Sequence, residues 1–527
     1  MRINLVCPAF PQEPDAAGVI AEKFVQRLAG DGHWVTVLTQ FPISRRRRWS
    51  TVLYRVKNRH VPPAYWLRET TGFAGPLVAS AGRKNAMRTG VAKAMETNIT
   101  RHFPFAHLDL DQETMKIAFI CAVFPPEPEP SGVMAHQLAA CLSSGGHSVS
   151  VVVPFPNRPH GELYSGFRRR MRDVSMVPEG YRLVRCANWL IGKRRRSLDR
   201  VLENITFGFS AAYAMFREGR PDVVIVNTWP LFAVQFAALL ARLWRVPFLY
   251  YVQDVYPEAA ERVGLLRHRG PVARLCRFWD SRICRSSAKV IVISNSMRDL
   301  MAVSRRLPDS HFAVIPNWLD PKDFTVHPID NAWRREQDIP THTFVAMFGG
   351  TLGLVSGAGI LIEVARLLRD RPDVLIVCVG EGVHKSPMID QARFLELQNI
   401  RFLPFQPRER VPEVQGAANV TLLTMQPGYS DASIPSKLIS YMASGRAVIC
   451  AAPAHTAVAA IVAESGAGIV TAPGSPEALV QAIRHLAAHP DETACMGRRA
   501  RSYFEQHFTL SRAHEQFSRL LTLVANS

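Results

Sequence analysis

Four loops carry residue types suited to chemistry on an anionic substrate. Residues 124–132, FPPEPEPSG, end on Gly132 at a helix start, where backbone can approach a ligand and free amides favour an anion. A turn that needs glycine is the other reading. Gly349-Gly350-Thr351-Leu352-Gly353 follows the strand-like FVAMF and opens a helix, a shape that cradles phosphate or simply makes a tight turn. Gly380-Glu381-Gly382 again ends a strand, with Lys385 one turn on. In the fourth loop, YSDASIPSKLISYMASG (429–445), Ser433, Pro435 and Ser436 signal a helix start and put Lys437 beside its amides. Amide donors plus a cation suit a departing diphosphate, whose negative charge grows as its bond breaks. A capped helix with a solvated lysine is the plainer alternative. Asp254, in VQDVYPEAAERVGLL beside Gln253, could serve as an acid, a base or a hydroxyl-binding group, or could cap the next helix. No His/Cys/Asp metal spacing, G-x-S-x-G, P-loop or D-x-D element accompanies them.

Strand-like runs must position these loops. Val/Ile-rich segments at 116–124, 148–155, 181–188, 222–227, 247–254, 289–294 and 312–317 alternate with helical ones. A polar, Pro-containing stretch at 321–341 reads as a hinge, after which strands recur at 344–350, 373–380, 400–406, 420–425, 446–452 and 468–473. The expected fold class is α/β, with two doubly wound domains at 115–325 and 340–505 facing across a cleft, and a C-terminal helix at 506–527 packing back. Ligands belong at the carboxyl ends of the strands.

The chain also starts twice. Residues 1–42 align without gaps on 115–156, an offset of 114, with 17 identities in 42 positions, among them Cys7/Cys121, Glu13/Glu127, Gly18/Gly132 and His33/His147. Residues 1–42 therefore read as a partial duplicate of the first βαβ unit, and 43–114 as a basic, poorly patterned segment with no run of strands that could finish a doubly wound sheet. Two readings stay open: a truncated duplication or start-site error with Met115 as the true start, and an added segment that binds membrane or a partner.

In its motifs the stretch from Met115 to about Val524 resembles the retaining GT-B glycosyltransferases of family four, in the branch that makes colanic acid, other exopolysaccharides and O-antigen. The resemblance rests on VQDVYPEAAERVGLL, VIVISNSM, VIPNWLD, FGGTLG, VGEG, NIRFLPFQPRERVPEVQGAANVTLL and PSKLISYMASGRAV, in that order. It implies two Rossmann-like domains and transfer of a sugar from a nucleotide-sugar donor to a glycan on a polyprenyl diphosphate. Configuration would be retained, with no metal and no cofactor, the nucleotide-sugar being a substrate. Carried over by position, Gly350 and Gly353 approach the diphosphate, Ser436 and Lys437 bind it, Phe405 lies near the base, Gly132 lies opposite the phosphates, and Asp254 contacts acceptor or sugar. The sequence departs from the family at the two glutamates eight positions apart, where Ala432 and Ser440 stand. Asp431 is the acid available to replace the first, and Ser440 offers the ribose a weaker contact. Thr351 holds the usual place of a phosphate-binding arginine. These losses keep two alternatives in view: an inactive nucleotide-binding scaffold, and a nucleotide-sugar epimerase using Asp254, Glu381 and Asp431.

Charge fits the same picture. Lys plus Arg number 63 against 44 acidic residues, a net charge of +19 that favours anionic partners. Basic clusters at 167–172, 193–196 and 267–285 fall in the expected acceptor domain and suggest an anionic membrane surface, whereas no nucleic-acid module accompanies them. No apolar run approaches the roughly 18 residues of a membrane span, and the nine cysteines form no C-x-x-C pair. The expected location is cytoplasmic, peripheral on the inner face of the cytoplasmic membrane.

Overall fold

The computed structural model describes residues 2–7, 34–42, 49–56 and 114–525, except 128, 159–160, 191–196, 228–230, 263, 265 and 427–433. The chain divides into two compact units, Met1–Leu110 and Asp111–Ser527. In the first, β1 (Arg2–Cys7) pairs parallel with β2 (Trp34–Pro42), Arg2 opposite Trp34. In the second, β4 (Lys116–Ile120) pairs parallel with β5 (Ser148–Pro154), Lys116 opposite Ser148. Both members of the pair shift by 114, so the repeated sequence builds the repeated register. A third strand, β3 (Trp49–Val56), runs antiparallel to β2. It lies inside 43–114, where the sequence offers no run of strands able to finish a doubly wound sheet, and it adds one antiparallel strand only. Its WSTVLYRV is rich in β-branched and aromatic residues, a signal hidden behind the preceding arginine run.

The second unit holds two sheets. The first adds β6 (Arg172–Met176), β7 (Arg182–Cys186), β8 (Val223–Asn227), β9 (Phe248–Val252), β10 (Lys289–Val292) and β11 (Phe312–Val314). Its order is β11-β10-β9-β8-β4-β5-β7-β6, parallel except for β6. The second contains β12 (Phe344–Gly349), β13 (Val374–Val379), β14 (Ile400–Leu403), β15 (Val420–Thr424), β16 (Ala447–Ala451) and β17 (Gly468–Thr471). It is parallel throughout, in the order β14-β13-β12-β15-β16-β17. Every residue of β8, β9, β13, β15 and β16 is buried, which explains their unbroken apolar runs. The edge strand β6 escaped notice because its RDVSM is polar and largely exposed.

Each sheet reverses its winding once. The chain runs outward from β4 through β5 and returns to β8 on the other side, and it does the same from β12 to β15. Doubly wound sheets bind ligands at such reversals, beyond the carboxyl ends of the strands.

The hinge expected at 321–341 is shorter in the structure. Trp333 is fully buried with Ile339, Val345 and Met347, and Phe324 packs with Leu423 and Leu438, so these residues belong to the second sheet's core. Single aromatics inside polar sequence supply that anchoring. The chain crosses between domains twice, and the crossings are tied together: the Leu319 amide donates to Phe508 O at 3.0 Å, and the Leu510 amide donates to Leu319 O at 3.1 Å. Helix Leu510–Ala525 then places Phe517, Leu521 and Val524 in the first sheet's core, against helix Pro130–Ser144. The eight cysteines from Cys121 to Cys495 are free thiols.

Candidate functional site

The glycine loops beyond β12 and β13 are fastened to each other by backbone alone. The Gly350 amide donates to Val379 O at 2.8 Å, the Leu352 amide to Glu381 O at 2.9 Å, and the His384 amide to Leu352 O at 3.0 Å. So close an approach requires glycine: a Cβ on Gly380 would sit 1.9 Å from Gly350 O, and one on Gly382 would sit 2.2 Å from Leu352 O. Gly350 itself has φ +122° and faces Lys437, whose Cε and Nζ would lie 3.2 and 3.3 Å from an added Cβ. Gly353 is extended and meets only the Thr351 methyl at 3.6 Å, so its missing side chain serves open space rather than a turn.

Helix Ser436–Ala443 completes this wall. Its buried Tyr441 accepts the Gly349 amide at 2.7 Å and donates to Gly349 O at 3.2 Å, pinning the helix to the end of β12. The helix begins after Pro435 with no side-chain cap; the Leu438 amide turns back to Pro435 O at 3.0 Å, while the Ser436 and Lys437 amides have no described acceptor, and Ser436 is exposed there. Lys437 is partly buried, its Nζ 4.1 Å from the centre of the Phe348 ring. No described residue forms an ion pair with it, and burial lowers its ammonium pKa to about 8. A cation, uncapped amides and a bare glycine backbone thus meet at the β12/β15 reversal, an arrangement able to hold an anion.

The remaining expected residues divide. Glu381 pairs with Lys385 at 2.6 Å, and Lys385 also donates to Leu403 O at 3.2 Å. Phe405, just past β14, is exposed. The Ser440 hydroxyl donates to Lys437 O at 3.0 Å and accepts from Gln415 Nε2 at 3.0 Å, so it already braces the helix. Asp431 lies outside the described residues.

In the other domain, Gly132 is buried, and a Cβ there would meet Phe124 Cα at 3.0 Å, so close packing of helix Pro130–Ser144 on the loop is reason enough for a glycine. Asp254 follows β9, is open to solvent, and has no described partner. Surrounding protein nevertheless raises its carboxyl pKa by desolvation.

Sequence reading missed the groups that hold these loops in place. Glu127 is buried and accepts the Asn157 and Arg158 amides at 2.8 and 2.9 Å, joining the loops beyond β4 and β5. Burial raises its pKa while those amides pull it down. Its place among the repeat's identities was the available signal. The fully buried Arg305 binds Asp280 at 2.6 Å and Glu258 at 2.6 Å, and Glu258 also takes Arg277 at 2.9 Å, which fixes the segment after Asp254. Nothing in the local sequence announces that cluster. A cavity of about 280 Å³ lined by Lys116, Ser148 and Arg182 lies at the amino ends of its strands, away from both reversals.

Residues 131–318 match the family described as glycosyl transferase 4-like domain, and residues 330–503 match glycosyl transferases group 1. The chain is 27% identical over 414 residues to the putative colanic acid biosynthesis glycosyl transferase WcaI of Escherichia coli K12, covering 76% of this chain and 98% of that one. It is 24% identical to the probable glycosyltransferase WbjE of Pseudomonas aeruginosa, covering 73% and 96%. Among solved structures, Anabaena HepE in complex with UDP and glucose superposes with a TM-score of 0.57 at 18% identity, covering 77% of this chain and 99% of that one.

Proposed function

Since the chain is a glycosyltransferase of GT-B architecture, we propose that it moves a sugar from a nucleotide-sugar donor to a glycan on a polyprenyl diphosphate, with retention and without a metal. The observation that carries this reading is the Lys437 ammonium, which has no ion-pair partner among the described residues, beside Gly350 and the start of helix Ser436–Ala443, where Pro435 supplies no side-chain cap. As the bond from the anomeric carbon to the diphosphate breaks, charge develops on the departing oxygen. Donors already in position stabilise that charge without reorganising. A lysine held near pKa 8 takes up its full charge as the diphosphate arrives.

The acceptor falls to the first sheet. Asp254 binds the acceptor hydroxyl, and its raised carboxyl pKa makes it a stronger base than an ordinary surface carboxylate. Similarity to enzymes named for colanic acid and lipopolysaccharide biosynthesis supports a lipid-linked glycan as acceptor, and so does the basic character of this domain.

Incubating the full chain with labelled nucleotide-sugars and a lipid extract tests the reading. Label in the lipid fraction, lost in Lys437→Met and Asp254→Asn, is expected. Nucleotide binding without turnover would favour the inactive scaffold, and release of an epimerised sugar without acceptor would favour the epimerase.

A further inference from the structure

Three neighbouring helices of the N-terminal domain turn large apolar side chains to the outside. Helix Ser197–Glu218 packs beside helix Leu231–Trp244, and that one beside helix Pro271–Ser286. On the first, Phe207, Ala211, Ala214 and Met215 fill the core. The opposite stripe, Ile205, Phe209, Tyr213 and Phe216 at spacings of four, four and three, is exposed, with Phe209 at 66% and Phe216 at 61%.

The stripe is continuous with the next helix. Gly208 lets the two backbones close in, since a Cβ there would meet Ala233 Cα at 2.9 Å. Phe209 then meets Phe236 edge-on at 6.0 Å, and Phe216 stacks on Trp244 at 6.2 Å. Leu239 and Leu243, the latter 71% exposed, extend the face, and Val272, Leu275 and Phe278 carry it onto the third helix. A merely solvated basic surface does not gather such side chains.

Cations frame this face. Arg217, Arg242, Arg245, Arg274, Arg282 and Arg285 are exposed, while none of the described carboxylates on these three helices is: Asp280 and Glu203 are buried, Asp199 is half-buried, and Glu218 is clasped by Arg172 and Arg182. We propose that this three-helix face docks on an anionic lipid bilayer, with Phe209, Phe216 and Leu243 entering the acyl boundary and the arginines meeting phosphate headgroups. Charge decides between occupants: a second copy would bring the same cations together, whereas an anionic bilayer neutralises them. The surface takes in the basic run at 267–285 and extends it over Phe209, Phe216 and Leu243, which lie outside all three runs.

Docking also has a geometric consequence. Helix Pro271–Ser286 is bound through Arg277 to Glu258 and Glu261 at 2.9 and 3.0 Å, just beyond Asp254. Asp254 is therefore held at a fixed place relative to the bilayer. The use of that placement for a lipid-linked acceptor rests on the function proposed above; the docking itself does not.

The test is flotation of the full chain with phosphatidylcholine vesicles, with and without phosphatidylglycerol, alongside calorimetric UDP and GDP binding as a separate readout of the C-terminal domain. Wild type should float with anionic vesicles only. Phe209→Glu/Leu243→Glu should bind them on the order of tenfold or more weakly with unchanged melting temperature and nucleotide binding. Arg242→Glu/Arg245→Glu should remove most of the dependence on phosphatidylglycerol. Failure of wild type to float, or undiminished flotation of the Phe209→Glu/Leu243→Glu variant, overturns the proposal. So does a sedimentation result in which that variant only separates an oligomer while vesicle binding persists. Loss of nucleotide binding with flotation intact would count against the donor site and leave the docking face standing.

Discussion

The two sheets reverse their winding in the same way but secure the loops at the reversal by different means. Beyond β12 and β13 the fastening is backbone to backbone, made possible by Gly380 and Gly382 and finished by the Tyr441 hydroxyl. In the N-terminal domain it is buried charge: Glu127 under two amides, and Arg305 between Asp280 and Glu258. A backbone zipper leaves a lysine with no described ion-pair partner and nearby amides, the groups proposed to hold a diphosphate. A charge cluster spends its polar groups on itself and fixes geometry for whatever the neighbouring Asp254 contacts.

The largest expected effect breaks the zipper. Gly380→Ala forces a carbon into the Gly350 carbonyl and should destabilise the C-terminal domain by about 3 kcal/mol or more, abolishing nucleotide binding. Two-probe thermal melts should show the N-terminal domain's transition unmoved.

Arg305→Met tests the other side of the contrast. It takes the shared cation from buried Asp280 and half-buried Glu258, leaving Glu258 with Arg277 and Asp280 with the Tyr250 hydroxyl, and should cost about 3–5 kcal/mol in denaturant titration, with UDP or GDP affinity retained. Acid adds a signature. Burial works against the Glu258 charge, but Arg305 and Arg277 outweigh it and hold its pKa down to about 2. The folded-state value is depressed, so its stabilisation is complete above the ordinary value of 4.5 and is lost as pH falls from there towards 2. In Arg305→Met that acid-dependent loss should shrink.

These two regions also show what a sequence discloses. Glycine clusters and PSK were legible because a backbone approach dictates residue type at fixed neighbouring positions. The Arg305 cluster was not, because its partners lie 25 and 47 residues away and arginine is abundant throughout this basic chain. The alternation of strands and helices was legible from burial on both faces, a signal the exposed β6 lacked, while β3 was hidden behind the arginine run before it. Trp333 shows the converse error: polar neighbours made an anchored segment look like a linker. Gly132 and Ser440 stand where the resemblance places ligand contacts, and each also has a structural part, close packing for the one and the Gln415 hydrogen bond for the other.

Ser440→Ala should have the smallest effect. It frees Gln415 Nε2 and should lower stability by about 1 kcal/mol in urea, with nucleotide affinity changed less than threefold, roughly, if the hydroxyl is a brace rather than a ribose contact.

The most direct measurement concerns Lys437. Calorimetric UDP and GDP binding should be followed from pH 7 to 9.5, roughly, for wild type and Lys437→Met. The folded protein disfavours the ammonium, so its penalty is present below about pH 8 and fades as pH rises from there towards 10.5. A bound diphosphate selects the charged form. Wild-type affinity should therefore fall above about pH 8, towards a limit of roughly tenfold per pH unit. Lys437→Met should bind about 10- to 100-fold more weakly at pH 7, with a flat profile. Equal affinities with parallel profiles for both proteins would contradict the account.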